Sequence, residues 1–308
     1  FKQKTAYEIS LGLVGSEMCI RDRLHGGEWM SKFLDRLQKT SSMKESLLCI
    51  GLDPDPARMP SPDVFEFCKT IVDSTQSFTA AYKPNMGFFE AFGIDGLKAL
   101  EKIVEHIRTN YPEIFLIGDG KRGDIGSTSS KYAHAMFNVW DFDAVTVNAF
   151  SGFDSIEPFL RYSDRGVFVW CKSSNPDGYQ LQDLVVSGQG GKKVFEIIAE
   201  YCVEWNSSGN LGLVVGATYP EELATIRGIA PEIPILVPGV GSQSGDLESS
   251  VKFGLATETH GLLISSSRGI IYASQQVSQY GNEAAKASAT LQKKINNILV
   301  DLGRSFLH

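Results

Sequence analysis

Residues 114–130 read IFLIGDGKRGDIGSTSS, a short apolar run that ends in charged and glycine residues. The run IFLIGD is apolar without alternation, which is the pattern of a strand buried on both faces of a parallel sheet. Gly126, Ser127 and Thr128 then provide residues of the type that caps the start of a helix. This stretch therefore predicts one unit of strand, turn and helix.

The same unit recurs in both directions along the chain. Other apolar runs are followed by segments such as LKALEKIVEHIRTNY and KKVFEIIAEYCVEW, in which apolar residues recur with helical spacing. The eight runs are LLCIGLD (47–53), FTAAYKP (78–84), IFLIGD (114–119), AVTVNAF (144–150), VFVWCKSS (167–174), LGLVVGA (211–217), PILVPGV (234–240) and GLLISSS (261–267). They predict an α/β protein with a single-domain (β/α)8 TIM barrel. A doubly wound open sheet is the alternative, but the first run is not followed by GxGxxG.

The composition excludes several classes of protein. The chain has 308 residues, of which 43% are hydrophobic and 21% charged, the balance of a globular protein with a sizeable core. No apolar stretch of about 18 residues occurs, so we expect no membrane span and no membrane partner. The net charge of −7 argues against general nucleic-acid binding. The five cysteines form no CxxC pair, which favours reduced thiols in the cytoplasm over disulfides or a zinc site.

The first residues do not fit this pattern. The segment FKQKTAYEISLGLVGSEMCIRDR has no signal-peptide layout, because charges interrupt its apolar residues. We expect residues 1–29 to be a non-native or disordered extension. The barrel domain is expected over residues 30–308, with an amphipathic helix that opens at Met30.

Polar residues collect where the predicted strands end, and in a barrel these ends meet at one rim. Asp119 and Lys121 are two residues apart, so an extended backbone would direct both side chains into the barrel mouth, with Asp124 on the turn beyond. An isolated DxKxxD motif is compatible with a solvated turn and an incidental ion pair. At the end of a buried strand, however, charges must be paired or functional. The other strand-end candidates are Asp53, Lys83 and Ser174.

Two further segments are candidates for ligand contact. PGVGSQSGD follows the seventh strand and Arg268 the eighth, where barrels of this kind commonly bind phosphate through backbone N–H groups and an arginine. The alternative is a tight turn with a surface arginine. The segment Asp177–Lys192 is long for a strand-to-helix connection, and it is either part of a lid or a surface insertion.

Together, the motifs GLDPDP, AYKPNMGFFE, DGKRGDIGSTSSKYA, KSSNP and PGVGSQSGD closely resemble those of orotidine 5'-phosphate decarboxylases, in the form of the bacterial type 2 branch. The resemblance extends from about Leu34 to the C-terminus. Ser242 and Ser244 depart from it, since the family usually has alanine and glycine beside the intervening glutamine. The resemblance implies cofactor-independent decarboxylation of orotidine 5'-phosphate to UMP and CO2, the last step of de novo pyrimidine biosynthesis.

The resemblance also implies roles for individual residues. Lys121 would protonate carbon 6 of the pyrimidine, flanked by Asp119, with Lys83 completing the ion array. Asp124 would enter the site of a neighbouring subunit, so a homodimer is expected. The implied substrate contacts are Asp53 with Lys83 to the ribose, Thr128 of the neighbour to the ribose, Ser174 to the pyrimidine edge, and Gln243 and Arg268 to the phosphate.

The residues alone leave two alternative functions to consider. A magnesium-dependent sugar-phosphate lyase on the same barrel also carries DxKxxD, but it needs a carboxylate at the end of the second strand, where this chain has Lys83. A non-catalytic phosphate- or nucleotide-binding barrel would have no use for Lys121 between two carboxylates. We expect no metal ligands among the scattered histidines.

Overall fold

A computed structural model describes residues 32–240 and 246–306, which contain a closed barrel of eight parallel strands. Every strand overlaps one of the eight predicted runs, so the predicted barrel is confirmed and the open sheet is excluded. The strands are β1 (Leu48–Leu52), β2 (Ala81–Pro84), β3 (Phe115–Arg122), β4 (Ala144–Val147), β5 (Gly166–Lys172), β6 (Leu211–Val215), β7 (Ile235–Pro238) and β8 (Leu262–Ser266). The barrel closes where β1 pairs with β8, with Ile50 opposite Ser266.

Helices follow the strands in sequence and pack around the barrel. They are α1 (Lys32–Met43), α2 (Val64–Thr75), α3 (Met86–Glu90), α4 (Gly93–Asn110), α5 (Gly126–His134), α6 (Glu157–Leu160), α7 (Tyr179–Gln182), α8 (Val194–Trp205), α9 (Pro220–Ile229), α10 (Leu247–Gly254), α11 (Arg268–Ile271) and α12 (Tyr280–Asp301). A short antiparallel hairpin, Val185–Val186 with Lys192–Lys193, lies between α7 and α8. None of the helices in the described ranges combines the length and the apolar composition needed to cross a bilayer.

The strands are apolar along most of their length because they are buried on both faces, and their charged residues lie near the carboxyl ends. Phe115 and Ile117 belong to the cluster inside the barrel, whereas Leu116 between them packs in the layer beneath the helices. Alternate residues of a strand point to opposite faces, so both faces of β3 require apolar side chains. This arrangement explains why continuous apolar runs in the sequence locate the strands.

Helix α1 closes the end of the barrel at which the strands begin. Phe33 is 1% exposed, and its ring centroid lies 5.8 Å from those of Phe115 and Phe168. The helix predicted from Met30 is thus present from Lys32 onward. The predicted extension 1–29 and Gln243 lie outside the described residues.

Candidate active site

A cavity of about 450 Å³ lies at the opposite end, where the strands terminate. Its lining brings together predicted residues from β1, β2, β3, β5 and β8. They are Asp53, Lys83, Asp119, Ser174 and Arg268. These residues are far apart in sequence, and it is the closed parallel barrel that places them at one rim.

Asp119 is the centre of an ion array on the wall of this cavity. Lys83 Nζ donates to Asp119 Oδ2 at 2.6 Å, and Lys121 Nζ donates to Asp119 Oδ1 at 2.7 Å. The side chains of Lys83 and Asp119 are 7% and 6% exposed, whereas that of Lys121 is 36% exposed. One buried carboxylate therefore holds two ammonium groups, one of them accessible from solvent.

The array keeps Asp119 and Lys83 charged. Burial alone would raise the pKa of Asp119, but the charges of Lys83 and Lys121 outweigh it and hold that pKa well below its usual range. Burial would likewise lower the pKa of Lys83, but Asp119 and Asp53 raise it above its usual value. At neutral pH the site therefore contains an ionised Asp119 carboxylate and a protonated Lys83.

The backbone at Lys121 differs from the extended conformation expected from the sequence. Lys121 has φ +44°, in the left-handed region that non-glycine residues rarely adopt, and the β3–β4 register shifts between Gly118 and Arg122. The Lys121 N–H donates to Thr146 Oγ1 at 3.0 Å. The expectation of an extended strand through Lys121 is wrong, because the neighbouring strand holds this residue in a bulge. Its ammonium nevertheless reaches Asp119.

Asp53 lines the cavity with a carboxylate oxygen that still has acceptor capacity. Its Oδ1 is buried and has no hydrogen-bond partner among the described residues, and the same holds for Ser267 Oγ. The Tyr272 hydroxyl donates to the Asp53 carbonyl at 2.6 Å and accepts the Asp55 N–H at 2.7 Å, which fixes this loop to the end of the barrel. Buried polar atoms are normally paired, so these two atoms have hydrogen-bonding capacity that the described chain does not use.

Asp124 and Thr128 are not brought into this cavity. Asp124 Oδ1 accepts the Ile125 N–H at 2.6 Å, and Asp124 forms no ion pair within residues 32–240 and 246–306. Thr128 lies in the first turn of α5. Within a single chain, therefore, both residues stay outside the group formed by Asp119 and Lys83.

Sequence reasoning missed several residues beside the array. Thr146 Oγ1 donates to Asp119 Oδ1 at 2.8 Å. The feature of the sequence that could have indicated this residue is a hydroxyl group within the apolar run AVTV. Trp170 is partly buried, and Lys121 Nζ lies 5.8 Å from its ring centroid. Arg58 lines the cavity with its guanidinium 4.4 Å from the Tyr272 ring centroid. No sequence motif pointed to Arg58.

Comparison with known proteins gives a consistent result. The family model described as "Orotidine 5'-phosphate decarboxylase / HUMPS family" matches residues 46–282. The chain is 46% identical over 248 residues to the orotidine 5'-phosphate decarboxylase of Azoarcus sp. (strain BH72), covering 78% of this chain and 90% of that protein. It is 41% identical over 272 residues to that of Ralstonia pickettii (strain 12J), covering 86% and 98%.

A solved structure agrees with both sequence relatives. The Leishmania donovani OMP decarboxylase superimposes with a TM-score of 0.76 at 39% identity, over 87% of this chain and 98% of that one. The barrel, the strand-end cavity and the matched residues thus lead to the same group of proteins. The chain belongs to the orotidine 5'-phosphate decarboxylase family.

Proposed function

We propose that this chain converts orotidine 5'-phosphate to UMP and CO2 without a cofactor, and that Lys121 delivers a proton to carbon 6 of the pyrimidine. The observation that carries the proposal is the buried Asp119 carboxylate, which holds the ammonium groups of Lys83 and Lys121 at 2.6 and 2.7 Å beside the strand-end cavity. Family membership supports the reaction, and the ion array supports the assignment of roles.

The ion array fits the charge that this reaction develops. Loss of CO2 from carbon 6 leaves a carbanion that the pyrimidine ring delocalises poorly. A fixed ammonium stabilises that charge as the bond breaks, and the same group is a proton source for the carbon. Because Asp119 keeps Lys121 in place through a direct 2.7 Å hydrogen bond, little reorganisation is needed at the moment of reaction.

The remaining cavity residues are assigned to the rest of the substrate. We assign Asp53 Oδ1, buried and without a partner in the described chain, to the ribose hydroxyls. Ser174 is assigned to the pyrimidine edge, since it lines the cavity at the end of β5. Arg268, at the start of α11, is assigned to the phosphate together with Gln243, because guanidinium groups bind phosphate through paired N–H donors.

Asp124 and Thr128 are assigned to the site of a second copy of this chain. Asp124 has no cation partner within the described residues, where its Oδ1 accepts only the neighbouring Ile125 N–H. Exposed apolar side chains lie next to it in its own loop and in the loop that follows β4. Ile125 is 65% exposed and Phe150 is 86% exposed. Large apolar groups at such exposure favour burial in an interface. The proposed homodimer would cover them and carry Asp124 to the partner's lysine.

The sugar-phosphate lyase is disfavoured by the position of Lys83. That function requires a carboxylate at the end of β2 to share a divalent cation with Asp119. Here the Lys83 ammonium occupies the Oδ2 side of Asp119 at 2.6 Å and is buried there. A cation at this place repels a metal ion rather than binding it.

Activity is tested by adding orotidine 5'-phosphate to the purified protein in the presence of EDTA and following the fall in pyrimidine absorbance. We expect turnover with EDTA present and UMP as the product. Loss of turnover on chelation would favour the lyase instead. Lys121→Ala should still bind UMP while decarboxylation becomes undetectable, and near-normal turnover in that variant would refute the assigned role.

The trans arrangement is tested by mixing two inactive variants, Lys121→Ala and Asp124→Ala, under conditions that allow subunit exchange. A mixed dimer has one site with both mutations and one site with neither. Statistical exchange should therefore restore about a quarter of the wild-type activity. If Asp124 acts within its own chain, mixing restores nothing.

The four cysteines in the described chain are buried free thiols, which supports a reducing compartment such as the cytoplasm.

A further inference from the structure

The pairing of β5 with β6 skips one residue just before the cavity wall. Trp170 pairs with Val214, but the next paired residue, Lys172, is opposite Val215. Such a bulge redirects a side chain. Trp170 packs against the cluster inside the barrel, whereas Lys172 Nζ lies 5.2 Å from the ring centroid of Phe195 on α8. The lysine therefore points away from the cavity and into the layer between barrel and helices.

Lys172 carries a charge in a place from which solvent is excluded. Its side chain is 1% exposed, and its Nζ lies 2.5 Å from Asp183 Oδ1 and 4.8 Å from the Tyr219 ring centroid. Within the described ranges, Asp183 is the only carboxylate that forms an ion pair with it. A buried ion pair contributes little net stability compared with apolar residues of the same volume. The pair is therefore better explained by the arrangement that it enforces.

That arrangement concerns the connection between β5 and α8. Asp183 follows directly after α7, and the preceding Gln182 accepts the Ser173 N–H at 2.9 Å through its Oε1. Helix α7 is thus attached to two adjacent residues at the end of β5, Lys172 through an ion pair and Ser173 through a hydrogen bond. The connection cannot shift along the strand without breaking both contacts.

The next residue, Ser174, is the one that lines the cavity. Gly216, at the end of β6, supports it from behind, since a Cβ at this glycine would lie 2.6 Å from the Ser174 backbone nitrogen. Ser174 is therefore held between a close backbone contact on one side and the attached connection on the other. Its hydroxyl position depends on both.

We propose that the Lys172–Asp183 pair positions Ser174, the one residue through which the β5–α8 connection lines the described part of the cavity, for contact with the pyrimidine. Lys172 is a positioning residue, since it does not line the cavity and acts through Ser174. This inference rests on the proposed function, in which Ser174 contacts the base. Under this proposal, segment 177–192 contributes to the site by holding Ser174 in place through Asp183 and Gln182.

The test compares two ligands that differ only in the base. We would measure the Kd of UMP and of ribose 5-phosphate by calorimetry, together with kcat and KM for orotidine 5'-phosphate. Lys172→Met should raise the UMP Kd and the KM about tenfold, while the ribose 5-phosphate Kd stays within about twofold. Asp183→Asn should act in the same direction, because it also removes the charge pairing.

Lys192→Met is the matched control. Lys192 lies in the same connection and pairs with Glu200 at 2.5 Å, but its side chain is 43% exposed. Such pairs contribute little, so neither Kd should change. If Lys172→Met fails to fold, the double variant Lys172→Met/Asp183→Leu, which replaces the pair by apolar residues, is judged by the same criterion.

The outcomes separate the two proposals. An unchanged UMP Kd in the Lys172 and Asp183 variants, or an equal loss of affinity for both ligands, would overturn the positioning role and leave the proposed function intact. Absence of UMP binding to the wild-type protein would overturn the proposed function and this inference together. Selective loss of the base-dependent affinity supports both.

Discussion

Thr146 Oγ1 donates a 2.8 Å hydrogen bond to Asp119 Oδ1 across the boundary between β4 and β3. The same oxygen accepts the backbone N–H of Lys121 at 3.0 Å, at the residue whose φ is +44°. One hydroxyl on β4 thus orients the central carboxylate and supports the unusual backbone of the lysine beside it. Thr146 is 1% exposed, so water cannot replace it.

We predict that Thr146→Val lowers kcat by about 10- to 100-fold, because a hydrogen bond to a charged group contributes roughly 1.5–3 kcal/mol. Valine keeps the shape of threonine and removes both hydrogen bonds. The UMP Kd should change by no more than about threefold, since Thr146 does not line the cavity. Thr146→Ser, which keeps the hydroxyl, should retain most of the activity. Steady-state kinetics on the three proteins decide the matter, and a normal kcat in the valine variant contradicts the role.

The depressed pKa of Asp119 predicts how stability depends on pH. Its folded-state pKa lies below the ordinary value of 3.8, so its contribution is complete above pH 3.8 and is lost as pH falls through the folded pKa. Lys83 behaves in the opposite sense. Its folded-state pKa lies above 10.5, so its contribution is complete below that pH and is lost as pH rises through the folded value.

We therefore predict that Asp119→Asn lowers the free energy of unfolding by about 3 kcal/mol at neutral pH, because it leaves buried ammonium charge without its carboxylate. The difference from wild type should shrink below pH 3.8, where the unfolded wild-type chain gains a proton that the folded protein excludes. Urea unfolding of both proteins over the acid range measures this difference. A difference that stays constant with pH would contradict the assigned ionisation of Asp119.

The fold was predictable because parallel strands buried on both faces have a strong signature in sequence. LLCIGLD and AVTVNAF each contain a barrel strand, at Leu48–Leu52 and Ala144–Val147. The strand-end candidates were predictable for the same reason, because the ends of parallel strands in a closed barrel must meet. Asp53, Lys83 and Asp119 accordingly line one cavity.

What could not be predicted depends on contacts between neighbouring strands. The backbone conformation at Lys121 depends on the register between β3 and β4. The bulge before Lys172 depends on the register between β5 and β6. The order of residues along one strand does not determine its register with the next. In sequence, a threonine that orients a site carboxylate looks the same as one whose hydroxyl bonds to a backbone group in the core. Thr146 therefore gave no specific signal.

A buried charge cluster at the far end of the barrel predicts an effect on stability alone. The Asp143 side chain is 2% exposed and forms ion pairs with Arg36 of α1 at 2.5 Å and with Arg108 of α4 at 3.0 Å. Its Oδ2 also accepts the Leu116 N–H at 2.7 Å. These contacts join two helices to the start of β3, on the opposite side of the barrel from the cavity.

We predict that Asp143→Asn lowers the free energy of unfolding by about 1.5–3 kcal/mol, because the partly exposed arginines and the Leu116 N–H lose a charged hydrogen-bond acceptor. The kcat and KM of the folded fraction should be unchanged. Asp164→Asn is the matched control, since Asp164 is 56% exposed and lies 3.9 Å from Arg165. It should cost less than about 1 kcal/mol. Thermal and urea unfolding provide the measurement, and equal effects of the two variants would contradict the importance of the buried cluster.

The loop that carries Asp124 depends on a glycine with no room for a side chain. A Cβ on Gly123 would lie 2.2 Å from the carbonyl oxygen of Asn148, and the Asn148 N–H donates to the Arg122 carbonyl at 2.8 Å. An alanine at residue 123 must therefore push this loop away from the end of β4. Because Asp124 is the next residue, the displacement passes directly to the carboxylate assigned to the partner's site.

We predict that Gly123→Ala lowers kcat by roughly 100-fold, since a misplacement of about 1 Å in a catalytic group has effects of this size. The barrel should remain folded, because the contact lies on its rim. Gly188→Ala is the control, as nothing lies within 4 Å of a Cβ at that glycine. If Asp124 acts in trans, a mixture of Gly123→Ala with Lys121→Ala should recover activity by subunit exchange, as the mixture of Lys121→Ala with Asp124→Ala does. Recovery of activity requires that the loop with Asp124 and the Lys121 of one active site come from different chains. If the mixture gains no activity, the two come from the same chain.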